Sequence, residues 1–319
     1  MIKQISSGLL SIMIVSVAIS QNTDTGFVKY DQQLPESDLH FTMLPVQAGS
    51  FLMGSPESDP NRQADEMPQL QISVDPFWMS ATEVTYDQYN IFYLDESISY
   101  NTPTDAVTRP STPYLDMSHG MGRQGGYPAV SMQHYAAMMY CKWLYKKTGI
   151  FYRLPTEAEF EYANRAGAET VYPFGNDPAM LGEYAWYKDN SENKYHKVGE
   201  KKPNAWGFYD MQGNVSEWVL DQYEENYFTR MADSTDNPLI VPTKRNPRTV
   251  KGGSYKDEAT GLRSASREPS LTNWNRRDPQ VPKSRWWNAD APFVGFRVVR
   301  PVNQPAPEEA EAFYERYFK

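Results

Sequence analysis

The chain has 319 residues, 40% of them hydrophobic and 14% aromatic, enough to bury the core of one large domain or two small ones. A formal charge of −9 argues against nucleic acid as a partner, because phosphate binding needs a surplus of Lys and Arg, and suits cations instead. A single cysteine, Cys141, rules out an intramolecular disulfide and a metal-binding cysteine cluster, while 24 prolines and 19 glycines commit much of the backbone to turns and loops.

Residues 1–20 carry Lys3, an apolar run from Gly8 to Ile19, and Ala18 and Ser20 at the −3 and −1 positions of a cleavage site. This pattern predicts a secretory signal peptide, since a run of about twelve apolar residues is too short to span a bilayer. With no cysteine near the cut to acylate, the mature chain is expected to be periplasmic or secreted and not membrane-spanning. Residues 21–41 form a polar, extended lead-in.

From Phe41 the segment "FTMLPVQAGSFLMGS" alternates apolar residues around turn glycines and predicts an opening hairpin. A helix follows Thr85, which with Gln88 makes a capping box. Gly120 to Gly126, "GMGRQGG", neither follows a clear strand nor opens a marked helix and is expected to be a surface loop. Met132, Tyr135, Met139 and Trp143 recur at helical spacing, with Cys141 on an adjoining stripe as a buried, inert thiol. A second capping box, Thr156 with Glu159, opens a third helix closed at Gly167; on it Glu157 and Glu161, four apart, are expected on a solvated face. Three helices beside many short strands predict an α+β fold, a single compact loop-rich domain over residues 42–301 with no internal repeat or linker. Residues 302–319 form a tail with a short helix carrying Phe313, Tyr314, Tyr317 and Phe318. Docking back on its own domain is favoured over a partner surface, with the core expected to be complete without it.

Six phrases occur in order: "FLMGS", "TEVTYDQY", "YRLPTEAEFEYANRAG", "PNAWGFYDMQGNVSEW", "KGGSY" and "VGFRVVRP". Together, from about Met43 to Pro301, they resemble the formylglycine-generating enzyme, or sulfatase-modifying factor, family. The resemblance implies a variant of the C-type lectin fold. In the oxidase members a cysteine pair that binds copper(I) begins two residues after the tyrosine of the GGSY phrase; here those positions are Asp257 and Leu262, so no copper is expected. In the same stretch, "KGGSYKDEATGLRSASR", Gly252 and Gly253 permit a tight backbone path, and Arg263 and Arg267 are candidates for pairing with carboxylates or stacking on aromatic rings. The iron-dependent branch uses three histidines, but His40, His119, His134 and His196 are scattered and are expected to be ordinary surface or hydrogen-bonding residues.

In "YDMQGNVSEW", Asp210, Gly213, Val215 and Glu217 match the family's calcium loop, with two side-chain oxygens and two carbonyls around a hard cation; an ordinary Asp-containing turn is the alternative. The ending most resembles the gliding-motility branch, which implies an exported structural component and a protein partner in the cell envelope, such as a ring-forming subunit of the type IX secretion machinery. Within Asn273 to Pro292, Trp274, Trp286 and Trp287 with Arg276, Arg277 and Arg285 have the composition of a binding hot spot; mutual stacking that holds the loop is the equal alternative. The rival function is an enzyme of unidentified reaction, such as modification of an exported peptide.

Overall fold

The computed structural model describes residues 26–98, 110 and 112–318; the expected signal peptide and the first residues of the lead-in lie outside them. Strand β1 (Tyr30–Gln33) already pairs antiparallel with β2 (His40–Val46), Tyr30 opposite Met43, so the lead-in is part of the domain. The opening hairpin does not form. Strand β3 (Gly49–Met53) pairs instead with β4 (Leu70–Val74), and β2 pairs with β5 (Phe77–Ser80). The two pairings run on from each other, Val46 opposite Phe77 and Gly49 opposite Val74, as one antiparallel ribbon interrupted at Gln47–Ala48 and Asp75–Pro76. Pro76 has no N–H to give to the ladder, which accounts for the break there.

Helix α1 (Tyr86–Leu94) starts at the Thr85–Gln88 box, and α3 (Glu157–Arg165) at the Thr156–Glu159 box, both with the side chain and backbone bonds of that motif. Ala166, in the left-handed region at φ 48°, ends α3 one residue before the glycine the sequence suggested. Between them α2 (His134–Thr148) closes at Gly149, φ 71°, and carries Ala136, Ala137, Tyr140, Cys141 and Leu144 fully buried. After the one-turn α4 (Leu181–Tyr184) comes β6 (Ser216–Gln222), buried along its whole length. The chain continues through α5 (Tyr227–Met231), β7 (Arg248–Lys251), β8 (Arg267–Pro269), β9 (Val294–Gly295) and β10 (Val299–Pro301).

Strand β10 completes a sheet of order β1-β2-β5-β10, while β8-β7-β6-β9 form another in which β9 runs parallel to β6. One core gathers around α1, α2 and β6, and a second lies under the β3–β4 pair and α3. The tail docks back on its own domain, as favoured, but the expectation that the core is complete without it is corrected: α6 (Pro307–Tyr317) packs on α2 with Ala310, Tyr314 and Tyr317 buried in the main core. Tyr314 donates to Tyr152 O at 2.6 Å, and Glu311 pairs with Lys142 at 2.9 Å. Among the described residues no helix is long and apolar enough to cross a membrane.

Candidate functional site

Three stretches singled out by sequence come to different ends in the structure. The first, Lys251 to Arg267, is bound to the core by cations. Lys251 Nζ, fully buried on β7, lies 3.0 Å from Glu161 Oε2. Arg263 forks onto Glu66 at 2.6 and 2.7 Å and reaches Asp59 at 3.0 Å. Arg267 forks onto Glu157 at 2.6 and 2.9 Å, with its guanidinium 4.7 Å from the ring of Tyr223 and 5.0 Å from that of Tyr227. Glu157 and Glu161 are therefore not on a solvated face. Both are fully buried, because α3 is covered on every side and each carboxylate is satisfied by a cation from β7 or β8, Glu161 also by Arg165 of its own helix. Burial disfavours the Glu161 carboxylate, but the charges of Lys251 and Arg165 outweigh it and hold the group below its ordinary pKa.

Backbone constraint in this stretch is real. At Gly253, φ 67°, a Cβ would stand 2.8 Å from Gly261 O, so only glycine fits. Asp257 accepts from Ser254 N at 2.9 Å and Ser254 Oγ at 2.7 Å, closing the turn, and Leu262 is fully buried. A cleft of about 210 Å³ here is lined by Lys251, Gly253, Asp257, Gly261 and Arg267. It contains no thiol.

The second stretch is the proposed calcium loop. Glu217 is buried on β6, and both its oxygens accept from Arg297, at 2.7 Å each. Burial works against the Arg297 guanidinium, yet the Glu217 carboxylate holds it above its ordinary pKa. Asp210, at φ 52°, accepts from Gly199 N through Oδ2 at 2.7 Å, and shares a proton with the carboxyl of buried Glu83, neither Oδ1 nor Glu83 Oε2 having an N–H or hydroxyl donor among the described residues. Burial pushes the Asp210 carboxyl up to about 6 and raises Glu83 well above the carboxylate range, with the charges of Asp210 and Glu217 adding to it. Asp210, Gly213, Val215 and Glu217 thus do not fit a shared calcium ion as they stand. Glu217 already has its countercharge, and the guanidinium that provides it would repel a second cation. Among the described residues no group of three or more His, Cys, Asp or Glu is placed to hold a metal. The Arg297 partnership joins positions 80 residues apart, and nothing local in the sequence signals it.

The third stretch, Asn273 to Pro292, is half inside the protein. Trp274, Trp286 and Trp287 are buried at 5%, 1% and 4% exposure, so they are core residues and not a partner surface. Trp218 packs on Trp274, and Tyr135 on Trp286. The arginines stay outside: Arg277 pairs with Asp290, Arg276 is exposed, and Arg285 lies 4.2 Å over the ring of Tyr135 while donating to Phe318 O at 2.7 Å. Of the histidines, His119 and His134 each contact a backbone carbonyl, and His196 stacks on Trp186, as their scatter suggested.

Comparisons with known proteins agree with this architecture. The chain is 29% identical over 258 residues to the formylglycine-generating enzyme of Mus musculus, covering 67% of this chain and 66% of the enzyme. It is 26% identical over 303 residues to a protein of Chlamydia pneumoniae named serine/threonine-protein kinase pkn1, covering 92% of this chain but only 43% of that protein. The chain therefore spans less than two thirds of the length of these relatives. Among solved structures, PvdO from Pseudomonas aeruginosa superposes with a TM-score of 0.65 at 27% identity, covering 82% of this chain and 95% of PvdO. The model of the sulfatase-modifying factor enzyme 1-like domain matches residues 32–302. With its single mixed α/β body built as PvdO is, the chain belongs to the sulfatase-modifying factor enzyme 1-like domain family.

Proposed function

We propose that this member of the family is not a formylglycine-generating oxidase but an exported binding or structural component of the cell envelope, working with a protein partner such as a subunit of the type IX secretion ring. The observation that supports the non-oxidase half is the state of Asp257 and Leu262. Copper(I) needs soft thiolates, whereas Asp257 has a carboxylate tied into a turn and Leu262 is a buried hydrocarbon. Cys141 sits on α2 in the main core, fully buried, and burial pushes its thiol far above the ordinary range, so it stays protonated and inert. Aerobic incubation of the copper(I)-loaded protein with a sulfatase-type cysteine peptide, followed by mass spectrometry, tests this half. Unchanged peptide is expected, and appearance of the aldehyde overturns it.

With the tryptophans buried, the partner surface on the 273–292 loop comes down to its exposed cations, Arg276, Arg277, Lys283 and Arg285, of which the first two lie outside the lining of the cavity of about 450 Å³ beside the loop. A pull-down of secretion-ring subunits from a native periplasm is expected to lose them when Arg276 and Arg277 are both changed to Glu. Recovery undiminished by that reversal of charge overturns this surface.

A further inference from the structure

Strand β7 begins with Arg248, whose guanidinium is buried, 5% exposed, and has no carboxylate partner among the described residues. Its Nε donates to Arg245 O at 3.3 Å, and its Nη1 is buried with no acceptor. Burial lowers its pKa to about 10 against the opposing influence of Tyr317 and Asp221. An unsatisfied buried cationic donor is destabilising unless something fills its environment.

The environment is a cavity of about 450 Å³ between the start of α2, strands β6 and β7, the loop around residues 271–288 and the end of α6. Arg245, Lys283 and Arg285 also line it, and no acidic side chain does, in a chain whose net charge is −9. None of these cations is spent on a carboxylate among the described residues. Lys283 donates to the carbonyls of Arg276 and Asp278 at 2.7 and 2.8 Å, Arg285 to Phe318 O, and Arg245 to Gln133 Oε1.

His134 stands behind the same wall as a neutral group. Its Nε2 lies 3.0 Å from Val219 O, and a carbonyl only accepts, so the proton resides on Nε2. Burial, aided by the charge of Arg248, keeps the imidazole neutral. Its Nδ1 is then a buried acceptor without a donor, and the buried Tyr317 Oη is also without a partner. Leu271, 47% exposed at the rim, and Phe318 provide apolar wall.

We propose that this cavity binds a small hydroxylated oxyanion, whose carboxylate or phosphate meets the Arg248 guanidinium among the cations Arg245, Lys283 and Arg285 while its hydroxyls face Asn246 and Thr272 on the wall. A charge-assisted bond to a desolvated guanidinium is among the stronger polar contacts, and the amide and hydroxyl side chains on the wall give a hydroxylated ligand further partners. The site holds whether or not the chain is an oxidase, since it shares no residue with the Asp257 turn except through strand β7.

Calorimetric titration with glucuronate and with glucose 6-phosphate tests it, the two acids distinguishing a carboxylate source from a phosphate source. At least one is expected to bind, glucose and inorganic phosphate alone to bind at least about tenfold more weakly, and Arg248→Met to weaken binding by about tenfold or more. Lys188→Ala, at an exposed ion pair with Glu258 outside the cavity lining, is expected to change nothing. Should Arg248→Met not melt cooperatively, Arg285→Gln at the exposed rim is expected to weaken binding several-fold. Binding of neither acid, binding of glucose or inorganic phosphate as tight as that of the acids, or undiminished binding by the folded variant overturns the proposal.

Discussion

The two ends of strand β7 carry cations in opposite circumstances. Lys251, at its end, is fully buried against Glu161, and its neighbours Arg263 and Arg267 are forked onto Glu66 and Glu157. Arg248, at its start, is nearly as buried but meets no carboxylate among the described residues, and the cations around it are bonded to neutral carbonyl and amide oxygens instead. Removing a desolvated charge from its partner is costly, so the cations of the Lys251 end are held in place by the carboxylates they face. A desolvated charge beside an open cavity is poised for something from outside the chain. The glycine-rich stretch that looks most like a catalytic signature thus has its cations spent on carboxylates, and the less conspicuous strand start carries the proposed site.

The largest effect should come from removing the wall that the tail gives to the Arg248 end. Truncation after Val302 removes Ala310, Tyr314 and Tyr317 from the main core and uncovers Tyr152, so the cooperative unfolding transition should broaden or vanish. A truncated chain that melts as sharply as the full one would mean that α6 merely rests on the surface.

Next is the Lys251 end. Glu161→Gln leaves Lys251 and Arg165 buried without countercharge and should cost about 3–5 kcal/mol by denaturant unfolding. The pH dependence follows from the lowered pKa of Glu161: its stabilisation is present above the ordinary glutamate value of about 4.3 and is lost as pH falls through the folded-state value below that. The wild type should therefore lose stability more steeply than Glu161→Gln on acidification through this window, and parallel curves would contradict the assignment.

At the other end of the strand, Arg248→Met removes a cation that has no countercharge and should change stability by no more than about 1 kcal/mol, in the variant's favour if at all. A loss as large as that of Glu161→Gln would erase the contrast between the two ends. Smaller still, Arg277→Ala at the exposed pair with Asp290 should stay within about 0.5 kcal/mol. Calcium against chelator should barely move the melting temperature, because Arg297 already neutralises Glu217. A clear rise with calcium, abolished in Glu217→Gln, would show that the ion displaces the guanidinium.

Local signals were legible where the physics is local. Thr85–Gln88 and Thr156–Glu159 close within one helical turn, so their caps are readable from spacing alone, as is the helix containing Cys141. The same phrases, taken in order, were enough to place the chain in its family. Composition correctly suggested aromatic packing but not its direction: Trp286 and Trp287 look identical in sequence whether they face a partner or the core, and neighbours on α1 and α2 decided it.

What the sequence by itself determined, then, is the inventory: family, helix starts, glycines at turns, the absence of a thiol pair at 257 and 262. Which charge meets which was decided only by tertiary structure. Glu66 and Arg263 stand 197 positions apart, Glu217 and Arg297 80, and Glu157 and Arg267 110. A carboxylate's state depends on the ion nearest to it in space and on how much water is left around it, and neither quantity has a local trace in the order of residues. For the same reason Arg248 is an ordinary arginine in the sequence and becomes a candidate binding group only when the fold buries it without a partner.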